Sequence, residues 1–208
     1  MSAAPPLRVG PVLVTWDRVA VVAPKGPSRE GSPPAARSCG FREDRRARGD
    51  ALLAGLIAEL APGADTSIAR RCRHCGADDH GAPHAVAAPV AVSVSYAGRI
   101  VVAAAALTRD ASAVGVDVER GTGPLPGLAP LFAPQPPPDR AGWTRIEAAL
   151  KADGRGTRVP PGDVRVTEAG GSLVARVPDG DTAIEVATLE TAPPGCVLSL
   201  AILPTATR

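Results

Sequence analysis

Val114-Gly-Val-Asp-Val-Glu-Arg120 sets Val114, Val116 and Val118 against Gly115, Asp117 and Glu119 in strict alternation. A period of two predicts a strand with one apolar and one acidic face. Residues i and i+2 of a strand point the same way, so Asp117 and Glu119 share a face. Two adjacent carboxylates repel unless a cation lies between them or one keeps its proton. Hard oxygen ligands at this spacing suit Mg²⁺, which accepts few protein ligands and keeps places for water and phosphate. The same two acids also suit the solvated face of an ordinary strand.

Further on, Trp143-Thr-Arg-Ile-Glu-Ala-Ala-Leu-Lys-Ala-Asp-Gly154 is made of helix formers and closes on glycine. Glu147 and Lys151, at i and i+4, project from one face a turn apart. Brought over the acidic strand, they would complete a metal–phosphate site. Two plainer readings stand beside this one. Thr144-x-x-Glu147 fits a capping box, and Glu147 with Lys151 fits a surface ion pair.

Two other segments extend the pattern: Ser93-Val-Ser-Tyr-Ala-Gly98, and Cys72-Arg-His-Cys-Gly76 with His80-Gly-Ala-Pro83. In order and in text, the four segments resemble the 4′-phosphopantetheinyl transferases of the surfactin-synthetase-activating type. The closing Pro194-Gly-Cys-Val-Leu-Ser-Leu-Ala201 is similar to that family's last strand. The resemblance runs from about residue 72 to the C-terminus. It implies an α+β fold of two similar α/β subdomains about a pseudo-twofold axis, with the site between them. The boundary is expected near residue 88, giving subdomains 1–88 and 89–208.

The implied reaction moves 4′-phosphopantetheine from coenzyme A to a serine of an apo acyl or peptidyl carrier protein and releases 3′,5′-ADP. By resemblance, Asp117, Glu119 and Glu147 are the Mg²⁺ carboxylates, and Glu147 is also the base for the serine hydroxyl. Lys151 matches the lysine that contacts phosphate oxygens. His80, Ser95 and Tyr96 match coenzyme contacts, and Arg45, Arg46 and Arg48, in a basic run before a helical stripe, are further candidates. The solvated face of a helix is the alternative for these arginines. Trp143 is expected to pack the helix on the sheet.

Three positions depart from the family pattern. Ala82 and Ile146 stand where lysines are usual, and Tyr96 where histidine is usual. Each lost charge-assisted hydrogen bond costs about 1.5–3 kcal/mol, so the losses at 82 and 96 would weaken coenzyme binding by on the order of a hundred-fold. Arg71, Arg73, Arg99 and Arg120 are candidates to compensate, since guanidinium suits phosphate geometry. The alternative function is a catalytically weakened member that binds carrier protein or coenzyme A.

Composition sets the frame. The 208 residues carry a net charge of +2 with acids and bases interleaved, which points to no strongly charged partner. Aromatics are 2% of the chain, so the core must be built from Ala, Val and Leu. Few aromatics and no long basic stripe argue against nucleic acid. No run spans a membrane, and no signal peptide is legible. Four cysteines do not make a disulfide scaffold, which points to a reducing, cytoplasmic compartment. An internally duplicated fold favours a monomer. Cys72-x-x-Cys75 and His80-x-x-x-His84 invite zinc by ligand type, but the interval between the pairs is far shorter than in a zinc finger. The resemblance implies no structural zinc there, and His80 is expected to fix a loop or touch the coenzyme's nucleotide end.

Strands are expected at 11–23, 90–95, 100–106, 114–119, 163–166, 172–177, 182–189 and 196–203. Helices are expected over 41–60 and 143–154. Residues 24–37, 61–71 and the proline-rich 121–142 read as loops or connectors. By family comparison the last of these is short for receiving a carrier protein.

Overall fold

The protein, seen in a computed structural model, is described over residues 3–20, 34–72, 75–78 and 80–205, with the backbone alone at 34–40 and 157. Strands β1 (Leu7–Val9) and β2 (Val12–Arg18) lead to helix α1 (Pro34–Leu60) and the short hairpin β3 (Ile68–Arg71) and β4 (Ala82–Ala85). Strands β5 (Val90–Ala97), β6 (Ile100–Leu107) and β7 (Ala113–Arg120) follow. Helices α2 (Ala129–Phe132) and α3 (Arg140–Asp153) precede β8 (Arg165–Ala169), β9 (Ser172–Arg176), β10 (Ile184–Thr188) and β11 (Cys196–Leu203). The fold is therefore α+β.

One antiparallel sheet runs β1-β2-β6-β5 and a second runs β7-β11-β10-β9-β8. In each, the strand that precedes the long helix pairs with the last strand of the sheet in chain order, which pairs on its other side with the strand just before it: β2-β6-β5 and β7-β11-β10. Sheet membership does not change at residue 88. It changes between Leu107 and Ala113, because β5 and β6 complete the sheet begun by β2.

Three apolar clusters hold the layers. Leu52, Leu53, Leu56 and Ile57 of α1 pack on Val101, Ala103 and Ala105, one face of β6. The other face, with Val102 and Ala104, meets Val114, Val116, Val118, Leu198 and Leu200 of the second sheet. Strand β6 is thus covered on both sides, which is why Ile100 to Leu107 shows a continuous apolar run rather than alternation. Helix α3 covers the outer face of the second sheet with Ile146, Ala149 and Leu150. Small residues allow close approach: a Cβ on Gly115 would lie 1.9 Å from the Ala148 carbonyl oxygen.

The two sheets meet where β5 runs alongside β7. Among the described residues no backbone ladder joins these strands. Instead Ser93 Oγ accepts from Val116 N at 3.1 Å and Ser95 Oγ from Val118 N at 3.4 Å.

Several local expectations need correction. Helix α1 begins at Pro34, so part of the stretch read as a loop is helical. Residues 21–33 lie outside the described residues. The hairpin β3–β4 falls partly in the expected connector; its four-residue strands contain arginines, a proline and a histidine, which hide any period. Helix α3 begins at Arg140, capped by Asp139, whose Oδ1 accepts from Gly142 N at 2.6 Å. Thr144 is therefore no cap: it is buried within the helix, 2.7 Å from Ser199 Oγ. The expected stop holds, with Gly154 left-handed at φ 80°. No helix among the described residues is long and apolar enough to cross a membrane.

Candidate functional site

Strand β7 presents Gly115, Asp117 and Glu119 toward α3, and α3 presents Glu147 and Lys151 back. Gly115 lets the helix backbone rest on the strand, so these four side chains meet over the seam with β5. Asp117 is the hub. Its Oδ1 accepts from Lys151 Nζ at 2.7 Å and from Ser95 Oγ at 2.8 Å. Lys151 Nζ also donates to Ser95 Oγ at 3.0 Å and to the Val116 carbonyl at 2.9 Å. Asp117 is 6% exposed, and its Oδ2 is buried with no hydrogen-bond partner among the described atoms. A buried carboxylate oxygen without a donor is an open position for a cation.

The other two acids feel the same charge. Burial, then the Asp117 carboxylate, raises Glu119 above its ordinary 4.5, against the pull of Arg140 and a hydrogen bond from Trp143. Burial, then Asp117, likewise raises Glu147, opposed by Lys151. Arg140 Nη1 stands 3.9 Å from Glu119 Oε2. Trp143 packs edge-on against Phe132, with centroids 6.1 Å apart, and its indole also bears on Glu119.

The three carboxylates do not close to mutual ligand distance. Among the described residues, the one group of at least three Cys, His, Asp or Glu ligand atoms within 4.8 Å of each other is Cys72, Cys75 and His80. Lys151 holds Asp117 Oδ1, and the Asp117 charge disfavours the charged form of both glutamates. The donor set nonetheless fits Mg²⁺: hard oxygens, one orphaned, and two acids whose repulsion a divalent ion would relieve.

This arrangement makes a pH prediction. At pH values between the ordinary 4.5 and their raised folded values, Glu119 and Glu147 bind protons in the folded protein more than in the unfolded chain. Their contribution to stability is present below the ordinary carboxylate value and lost as pH rises through the raised folded values. The melting-temperature difference between wild type and a Glu147→Gln variant is therefore expected to move against wild type as pH climbs above about 4.5. Saturating Mg²⁺ is expected to cancel that movement, as thermal melts across pH with and without the ion would record.

A basic cavity adjoins the seam. Arg42, Arg45, Arg46, Arg70, His80, Gly81 and Tyr96 line ≈230 Å³. Three polar atoms around it, Arg45 Nε, Arg70 Nη2 and Tyr96 Oη, are buried without a hydrogen-bond partner. Burial raises the Tyr96 phenol above its usual value, opposed mainly by the Arg70 charge, so the ring offers a neutral hydroxyl donor. The Arg45 guanidinium lies over the Tyr96 and Phe41 rings at 5.4 and 4.9 Å. A second cavity of ≈280 Å³ shares Arg70, Gly81 and Tyr96 and continues over Ala82 and Ser93 to Lys151. Through these shared residues the two form one trough from the arginine cluster to Lys151, the partner of Asp117.

Of the expected coenzyme contacts, His80, Tyr96, Arg45 and Arg46 line the cavity. Ser95 lies in the acidic seam instead, and Arg48 is ion-paired with Asp17. The expected compensating arginines are elsewhere. Arg71 lines a cavity with Cys72 and His84, and Arg99 and Arg120 line another with Arg18. Arg73 lies outside the described residues. The arginines beside Tyr96, apart from Arg45 and Arg46, are Arg42 and Arg70. Arg70, paired with Asp50 at 2.6 Å, was signalled only by its parity with Ile68 in β3. Ile146 is buried in the core beneath α3, so its departure from lysine is a packing matter.

The chain matches no protein-family model, and no curated protein is significantly similar to it.

Proposed function

We propose that the protein is a 4′-phosphopantetheinyl transferase that moves the phosphopantetheine arm of coenzyme A onto a carrier-protein serine. One observation carries the reading: Asp117 and Glu119 of β7 and Glu147 of α3 act on one another's charge, and Lys151, bonded to Asp117, stands at the end of a trough that begins among arginines. The repeated connectivity of the two sheets agrees with a duplicated fold whose site lies between its halves. A reducing, cytoplasmic setting belongs to the same proposal.

The arginine end would take the nucleotide phosphates of coenzyme A and aim the pyrophosphate at the seam. Asp117, Glu119 and Glu147 would hold Mg²⁺, which neutralises charge on a pyrophosphate. Lys151 would neutralise a phosphate oxygen from the other side. Glu147, its proton affinity raised by burial, suits a base for the serine hydroxyl. The serine oxygen attacks the pantetheine-side phosphorus, its proton passes to Glu147, and the bond to the departing 3′,5′-ADP breaks. Most of the rate would come from placement and charge neutralisation.

The deciding experiment is mass spectrometry of apo carrier proteins incubated with the protein, coenzyme A and Mg²⁺. A gain of one phosphopantetheine, absent with Glu147→Gln, supports transfer. No gain with acyl or peptidyl carriers sinks it and leaves the second reading, a binding protein. That reading is favoured by Ala82 in the trough and by the Lys151 contact on Asp117.

Calorimetry separates the arginines. Arg42→Ala and Arg45→Ala are each expected to weaken coenzyme A binding about ten- to a hundred-fold, the loss of one charge-assisted contact. Arg120→Ala, at the other cavity, is expected to leave it unchanged.

A further inference from the structure

Among its described residues, the loop joining β3 and β4 has no buried apolar side chain. Its ends are pinned by the pairing of Arg71 with Ala82. Between them Cys72 N donates to the Ala77 carbonyl at 2.7 Å and Gly76 N to the Cys72 carbonyl at 2.9 Å. Gly76, at φ 77°, closes the Cys-x-x-Cys-Gly turn in a conformation that side chains resist. Gly81, at φ 109°, turns the chain back against Arg71, where a Cβ would lie 2.6 Å from the Arg71 carbonyl oxygen. These two turns bring Cys72, Cys75 and His80 together.

The ligand atoms of these three residues all lie within 4.8 Å of one another, and Cys75 Sγ is 3.4 Å from His80 Nε2. Zinc–sulfur and zinc–nitrogen bonds of about 2.3 and 2.05 Å at a tetrahedral angle place S and N about 3.6 Å apart. The observed separation fits that edge. Two soft thiolates and an imidazole select zinc over the hard cations that suit the acidic seam. His84, the other histidine weighed for such a site, is not in the cluster.

We propose that Cys72, Cys75 and His80 bind one zinc ion through two sulfurs and Nε2, with the fourth position open to solvent. The ion staples the β3–β4 loop and so fixes His80 and Gly81 in the wall of the arginine cavity. Binding releases the two thiol protons, so affinity falls as the pH drops. The inference does not rest on the transferase reading.

The test is elemental analysis of protein purified without a histidine tag, together with replacement of the metal by Co²⁺. One zinc per chain is expected in wild type and none in Cys72→Ser or Cys75→Ser. The cobalt form is expected to show thiolate-to-metal charge-transfer absorption and the strong visible bands of a tetrahedral site, both altered in His80→Ala. Should the serine variants misfold, the wild-type cobalt spectrum still decides. Wild type lacking zinc while both thiols react freely, or a Cys72–Cys75 disulfide in its place, overturns the proposal. So does a cobalt spectrum without sulfur charge transfer.

Discussion

Gly115→Ala is expected to lower the stability of the protein by about 3 kcal/mol, a fall in melting temperature of roughly 6–12 °C for a chain of this size. The added methyl would sit 1.9 Å from the Ala148 carbonyl oxygen and 2.8 Å from Ala152 N. Both are helix backbone atoms, so no rotamer change relieves the clash. Ordinary contact between such atoms is about 3.5 Å, so α3 must rise from the sheet by on the order of 1.5 Å. Glu147 and Lys151 flank Ala148 on that helix and would be carried away from Asp117. Activity is therefore expected to fall further than the loss of folded protein explains. The contrast is Gly55→Ala in α1, where nothing lies within 4 Å of the new methyl. There a gain of about 0.5–1 kcal/mol is expected from the unfolded state. Thermal melts of the two variants, with opposite shifts expected, test the close approach directly. A Gly115→Ala protein that melts with wild type would refute it.

The second large effect concerns the Asp117–Lys151 pair. Lys151→Met leaves the Asp117 carboxylate buried with only Ser95 as a side-chain donor. Breaking a fully buried pair costs about 3–5 kcal/mol; with the lysine side chain 30% exposed, about 2–3 kcal/mol is the expectation. Adding Asp117→Asn removes the stranded charge. The double variant is accordingly expected to be more stable than Lys151→Met alone, the signature of direct coupling. Urea denaturation of the four proteins measures it. On the proposed transferase function, each single change is also expected to cut phosphopantetheine transfer by on the order of 10²–10³, the usual loss when one charge-stabilising group leaves an active site. A double variant destabilised by the sum of the two single costs would mean that the two side chains do not share an interaction.

Much of the secondary structure was legible because its periods are clean. Strands β5, β7 and β11 lie where alternating or continuous apolar runs stand, and α3 ends at the glycine that stops it. The short hairpin β3–β4 was not, since four residues are too few to display a period. The division between sheets was also hidden: Val14 pairs with Ala104 and Val92 with Ala105, and no local pattern states which distant strands meet. In the site, spacing alone put Asp117 beside Glu119 and Glu147 a turn from Lys151. That Lys151 turns to Asp117, that Arg48 turns to Asp17, and that Arg70 closes the cavity all depend on packing between remote segments. Asp139 escaped notice as the helix cap because the capping-box pattern beginning at Thr144 was the more conspicuous signal.

The hydroxyls of Ser93 and Ser95 stand where a backbone ladder between the sheets could have run. A backbone ladder between β5 and β7 would have sealed the crevice shut with a row of bonds lost only by unfolding a strand. A join made of serine side-chain contacts, two to the β7 backbone and two to Asp117 and Lys151, leaves every ladder within the two sheets whole when it parts. What holds the two sheets together is therefore chiefly the buried Ala–Val contact between them.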